Sequence, residues 1–394
     1  MPPMSEAVLR LEPLRAWRFV AGMVSGLGAV TSPPYDVLEP ALVRRLTDSD
    51  LHNMVRLILP RDPDLGPGRY DEPARRLADW QRRGVVVRDR RPALYVYEQQ
   101  FQGAVLCGLV GALQLDPERR VVLPHEDVMP QWVDDRFDLM VATDADLEPI
   151  LLAYGGGEGS TSIASIASDA VDAARAGEPW LVADTENGAH HQIWRIEDPV
   201  QLELIAAELA GHEALIADGH HRYAAYLERA RREPHRPETS LGLAMLVDND
   251  RHPLTLDPIH RLVPGLNLDT VARSTPDSWE VLPGRIDGVP DRVAISDGSS
   301  WVTLRSTAHR AEPTVSLLHE ELLPAWGVPA DDVTFHHDLS DALALAGPSQ
   351  AAVELVAPRM DQVLRSAARG VVLPQKATSF GPKPRVGLLF RTLD

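Results

Sequence analysis

The densest run of chemically capable residues in this chain is Asp218-Gly219-His220-His221-Arg222. Ala214-Leu215-Ile216-Ala217 before it predicts a short buried strand. Ala224, Ala225 and Leu227 after it give the apolar stripe of a helix. The polar cluster therefore falls on a strand-to-helix turn, where backbone N–H groups at a helix start favour anions. Gly219 allows close approach of a ligand, Arg222 can grip a phosphate or carboxylate with two N–H groups, and the two histidines titrate near neutrality. The alternative is an ordinary Asp-Gly connection with histidines as mere caps.

Other segments offer matching chemistry. Pro33-Pro34-Tyr35-Asp36 is a rigid extended stretch presenting a carboxylate. Asn53–Pro60 reads as a short strand with Arg56 inside it, and an arginine in an apolar run needs a partner or a ligand. His125-Glu126-Asp127 lies in a loop between Pro124 and Pro130 and offers a general base or metal ligands. Only two of the 39 basic residues are lysines, Lys376 and Lys383, both near the end of the chain. A lysine kept where arginine is otherwise preferred suits a compact point charge on phosphate. Gly155–Ser162 is glycine-rich but lacks the lysine and spacing of a phosphate-binding loop, so it reads as a connector.

These residues need a scaffold, and the chain is long enough to supply one. Its 394 residues, 44% of them hydrophobic, predict one large or two medium domains with a substantial core. An amphipathic helix is expected over Asp71–Arg83, stopping at Gly84, and a hairpin from Ala93–Gln99 and Val105–Leu115 around Gln102-Gly103. Further helices are expected over 163–176 and 200–209. Strands are expected over 149–154, 179–183, 190–196 and 241–247. The proline-rich tail to Pro384 reads as irregular, ending in a strand over Val386–Phe390. The fold class is α/β in the mixed α+β sense, divided near the glycine stretch into lobes 1–154 and 163–394.

A net charge of −18 argues against nonspecific nucleic-acid binding. The single cysteine, Cys107, excludes an intramolecular disulfide and a cysteine zinc cage. No apolar run is long enough for a membrane span, and the first ten residues lack the pattern of a secretory signal, so a cytoplasmic location is expected.

Several of these segments, in this order, resemble a bacterial and archaeal domain-of-unknown-function family, number one thousand and fifteen in its series. They are Pro33-Pro34-Tyr35-Asp36-Val37, Asn53 with Arg56-Leu57-Ile58-Leu59-Pro60, His125-Glu126 with Asp135-Arg136, Asp218 to Tyr223, His260-Arg261 and the lysine-bearing tail. The tail departs from the family's Pro-Lys-Ser-Thr, reading Lys376-Ala377-Thr378-Ser379-Phe380. Locally, Leu215–Tyr226 is similar to the strand-turn-helix box of the ParB/sulfiredoxin superfamily, whose members include free-serine kinases. In that superfamily a Gly-x-x-Arg turn, here Gly219 and Arg222, holds nucleotide phosphates.

The expectation is a phosphotransferase, serine-kinase-like, moving phosphate from ATP or ADP with Mg²⁺ to a small hydroxylated metabolite. Asp218, Gly219, Arg222, Arg56 and Lys383 would bind phosphate. Glu126 or Asp36 would accept the hydroxyl proton, His220 or His221 would contact phosphate or shuttle a proton, and Lys376 would offset developing charge. Two rivals stand beside it. One is a non-catalytic nucleotide or metabolite sensor; the other is a metal hydrolase built on His125, Glu126, His220, His221 and His260. The sequence does not choose the substrate, the nucleotide or the oligomeric state.

Overall fold

The structure is a computed structural model, describing residues 7–59, 68–155, 165–289, 291–308 and 310–393. It forms two compact units. One comprises Met1–Leu123, Val128–Leu254 and Pro382–Asp394; the other comprises Pro124–Asp127 and Thr255–Gly381. This division does not follow the glycine stretch, whose residues Gly156–Ser162 lie outside the described residues. The first unit takes strands from both sides of that stretch into one sheet, and the last residues return to it.

The fold class is mixed α/β. The first unit's sheet has nine strands, running from Val122–Leu123 through Ala214–Asp218, Ile150–Tyr154, Leu241–Asp248, Ala104–Gln114, Leu94–Phe101 and His190–Ile196 to Leu181–Asp184, with Leu11–Glu12 beside Ala104–Gln114. Ala214–Asp218 is antiparallel to Ile150–Tyr154, which is parallel to Leu241–Asp248. Both Ala214–Asp218 and Ile150–Tyr154 are buried at every residue, as continuous apolar runs in a sheet covered on both faces should be. The expected hairpin forms, with Gln102 and Gly103 at positive φ.

Strand Ala214–Asp218 feeds directly into helix His220–Arg232. Arg222, Tyr223, Ala225, Tyr226 and Arg229 form its buried stripe, and the helix packs on Pro130–Thr143.

Two expectations are corrected in this unit. Asn53–Pro60 is not a strand: Val55–Ile58 is a short helix, and Pro60 is outside the described residues. Asn53 Oδ1 accepts the Val55 N–H at 2.9 Å, starting a turn that competes with an extended ladder. Nor is Val386–Phe390 a continuous strand. Val386 bridges Ser32 and Phe390 bridges Trp17, with Gly387 between them at φ +99°. A Cβ at Gly387 would collide with Met54, so the chain makes its bend where only glycine fits.

The second unit is built on an antiparallel six-stranded sheet in the order Trp279–Pro283, Trp301–Ser306, Arg292–Ser296, Gln350–Leu355, His260–Pro264, Thr334–His336. The tail is more regular than its composition implies, because Ser379–Gly381 pairs with Thr255–Asp257. Among the described residues no helix is long and apolar enough to cross a membrane.

Candidate functional site

The Asp-Gly-His-His-Arg turn forms as its sequence implies, with one device added. The ladder to Ile150–Tyr154 shifts register between Ile216 and Asp218, a bulge that re-aims the end of the strand. Gly219 then takes φ +99° as the residue capping the helix. A side chain there would be strained, and its Cβ would lie 2.9 Å from Ile150 Cγ2.

Asp218 is the centre of an ion cluster in the first unit. Its Oδ1 meets Lys383 Nζ at 2.6 Å, and its Oδ2 accepts from Arg222 Nη2. Lys383 Nζ also meets Asp36 Oδ2 at 2.5 Å. Burial alone would raise the Asp218 pKa, but the charges of Lys383 and Arg222 hold it well below the usual carboxylate range. Lys383 in turn has its pKa raised: burial opposes its charge, and the two aspartates more than offset that. The tail reaches Asp36 because Ser32 and Val386 exchange both backbone hydrogen bonds, laying the Lys383 segment against the Pro33-Pro34-Tyr35-Asp36 segment.

Arg222 differs from the sequence expectation in its environment. It is 2% exposed, and it donates to Asp218 and to the Pro149 carbonyl. Its guanidinium is the inner support of Asp218 rather than an open anion grip. His221 Nε2 accepts the Met129 N–H at 3.1 Å, securing the start of helix Pro130–Thr143, while the buried His220 adds positive character beside Asp218. Arg56 stands apart in role: its Nη2 donates to Thr47 O at 2.6 Å, supporting the carbonyl end of helix Pro40–Ser49.

Tyr35 and Arg136 meet at Glu148, a residue that sequence reasoning missed. Glu148, 4% exposed, accepts the Tyr35 N–H at 3.0 Å and faces Arg136 Nη1 at 3.4 Å. Arg136 covers the Tyr35 ring at 4.2 Å, and burial raises the Glu148 pKa against the pull of Arg222 and Arg136. A glutamate just before the apolar run Pro149–Tyr154 was the available signal.

The second unit holds Glu126, Lys376 and Arg261. Burial pushes the Glu126 carboxyl up to about 7, against attraction from Lys376 and hydrogen bonds from the Lys376 and Ala377 N–H groups. Lys376 sits at φ +53°. Its carbonyl accepts from Arg261 Nη2 at 2.9 Å, and Arg261, fully buried, also donates to Ile259 O at 2.7 Å. His125 Nε2 pairs with Thr378 Oγ1 at 2.8 Å, so the hydroxyl two residues after Lys376 is used within the second unit. His260 Nδ1 accepts from Leu355 N–H at 3.3 Å. Among the described residues no group of three or more His, Cys, Asp or Glu is placed to hold a metal ion, so the metal-hydrolase constellation does not assemble there.

The family model described as "Protein of unknown function (DUF1015)" matches residues 11–320. No curated protein matches the chain. Solved structures similar to it include SbnI with a C-terminal truncation from Staphylococcus aureus, at TM-score 0.42 and 11% identity, covering 71% of this chain and 86% of that one. A free serine kinase variant in complex with ADP aligns at TM-score 0.38 and 14% identity over 72% of this chain and 92% of that one. A conserved hypothetical protein from Pyrococcus furiosus aligns at TM-score 0.36 and 15% identity over 73% and 95%.

Proposed function

The chain belongs to the DUF1015 family, whose description leaves activity open, and we propose from the first unit's ion cluster that it is a nucleotide-binding phosphotransferase acting on a small hydroxylated metabolite. One observation carries this reading. A lysine ammonium lies between two carboxylates, Asp36 and Asp218, and the second of these directly precedes the glycine turn at a helix start.

Each part suits phosphate chemistry. The helix start and Gly219 form an anion cradle in which a side chain would intrude. Lys383 supplies a compact charge for the transferred group. Asp218 is the carboxylate that would hold Mg²⁺ with the nucleotide, since Mg²⁺ is usually held by one or two carboxylates plus phosphates. Mg²⁺ would supply charge neutralisation on the phosphate oxygens.

In the transfer, the bond from the terminal phosphorus to the nucleotide's bridging oxygen breaks and a bond to the acceptor hydroxyl oxygen forms. The hydroxyl proton passes to Asp36, the more exposed of the two aspartates. Arg222 keeps Asp218 ionised and oriented, and His220 contacts phosphate.

Thermal unfolding against ATP, ADP, CTP and GTP with and without Mg²⁺ tests the reading, followed by turnover with the stabilising nucleotide. The reading requires an upward shift that is lost in Lys383→Ala. A shift without turnover on any hydroxylated acceptor converts it to the sensor, and no shift removes it.

A further inference from the structure

Among the described residues a single Phe, Trp or Tyr side chain stands exposed: Trp132, at 43%. Scattered aliphatic side chains on a surface are ordinary. A tryptophan carries a far larger apolar surface and is highly buried on average. Its position relative to the ion cluster singles Trp132 out further.

Trp132 lies in the first turn of helix Pro130–Thr143. Its N–H donates to Met129 O at 3.0 Å, and the Met129 N–H is the group that His221 of the glycine turn receives. The Trp132 ring lies 6.3 Å from that of Tyr35, with the planes at 43°. Arg136, four residues on and so on the same side of the helix, covers Tyr35 at 4.2 Å. Tyr35 is held by Arg136 and by its backbone bond to Glu148, which gives the indole a fixed support. The next residue, Asp36, meets Lys383, and Lys383 meets Asp218. Trp132 is therefore tied to the ion cluster twice: to Asp36 through Tyr35, and to the helix start through Met129 and His221.

We infer that Trp132 is the stacking platform for the base of the nucleotide proposed for the glycine turn. This deepens the function proposed above and rests on it. Asp36, Lys383, Asp218 and Gly219 offer charge and bare backbone, which suit phosphate and give a flat base nothing to pack on. An indole offers a broad π-face, and stacking on it tolerates any base because every base has a π-face. The ligand class this surface selects is a planar heteroaromatic ring, and a polyphosphate lacking one gains nothing from it.

Calorimetric titration of the full chain with ATP, GTP, CTP and inorganic tripolyphosphate, in the presence of Mg²⁺, tests this in wild type, Trp132→Ala, Trp132→Leu and Trp132→Phe. Trp132→Ala should weaken the tightest nucleotide about tenfold or more while binding tripolyphosphate as wild type does. Trp132→Phe should recover part of that loss and Trp132→Leu none, because leucine covers Tyr35 without offering a π-face. An unchanged nucleotide affinity in Trp132→Ala overturns the platform. So does an equal loss for nucleotide and tripolyphosphate, which would make Trp132 a support of the helix start. Wild type binding tripolyphosphate as tightly as every nucleotide overturns the platform and leaves the phosphate site standing. Wild type binding none of the four removes the proposed function and the platform with it. Should Trp132→Ala not fold, Trp132→Leu against Trp132→Phe decides, and equal nucleotide affinities in the two overturn the platform.

Discussion

Lys383 Nζ lies 2.6 Å from Asp218 Oδ1 and 2.5 Å from Asp36 Oδ2, joining the end of strand Ala214–Asp218 to a segment 347 residues away from the lysine in sequence. One ammonium thus neutralises two carboxylates that would otherwise repel. Removing it changes binding, stability and pH response together, and these can be measured separately.

Lys383→Met should lower stability at pH 7 by about 1–3 kcal/mol, the range for leaving a buried charged group short of its partner. It should also flatten acid sensitivity. The Asp218 pKa is depressed in the folded state, so its contribution is present above the unfolded pKa and disappears as pH falls through the folded one. Denaturant melts from pH 2 to 7 should show the two proteins converging at the acid end; a constant gap would disprove the coupling.

Arg222→Ala should destabilise by about 3–5 kcal/mol, because Asp218 and the Pro149 carbonyl lose a fully buried donor. Arg222→Lys should restore little, since one ammonium cannot span both acceptors as the fork does. Urea midpoints for the two variants decide this. A variant as stable as wild type but unable to bind nucleotide would return Arg222 to direct phosphate contact.

Gly219→Ala combines a φ of +99° with a Cβ 2.9 Å from Ile150 Cγ2. The backbone strain alone costs about 1–2 kcal/mol, and nucleotide affinity should fall with it. If thermal stability and affinity both survive, the tight turn is not what shapes the anion cradle.

Glu126→Gln tests a carboxyl pushed up to about 7 by burial. An acid whose folded pKa lies above its unfolded one loses stability as pH rises between the two, here from about 4.5 to about 7. The glutamine variant should therefore gain on wild type at pH 8 and match it near pH 4.5. Turnover should survive in the glutamine variant and be lost in Asp36→Asn, and the reverse pattern would take the base away from Asp36.

Sequence alone determined the strand, glycine turn and helix around Asp218, because apolar period, Asp-Gly chemistry and helix propensity act over a dozen neighbouring residues. It also marked Asp36, Glu126 and both lysines as chemically unusual. It misjudged Asn53–Pro60, where a short apolar run fits a helix as well as a strand. Only the tertiary structure decided which carboxylate each lysine meets. Lys383 reaches Asp36 and Asp218 through the Ser32–Val386 pairing, while Lys376 acts on Glu126 in the other unit. It also turned Arg222 inward and set Arg56 on helix-end carbonyls. Charge pairing depends on which segments the sheets bring side by side, and that is settled by packing across hundreds of residues rather than by local sequence.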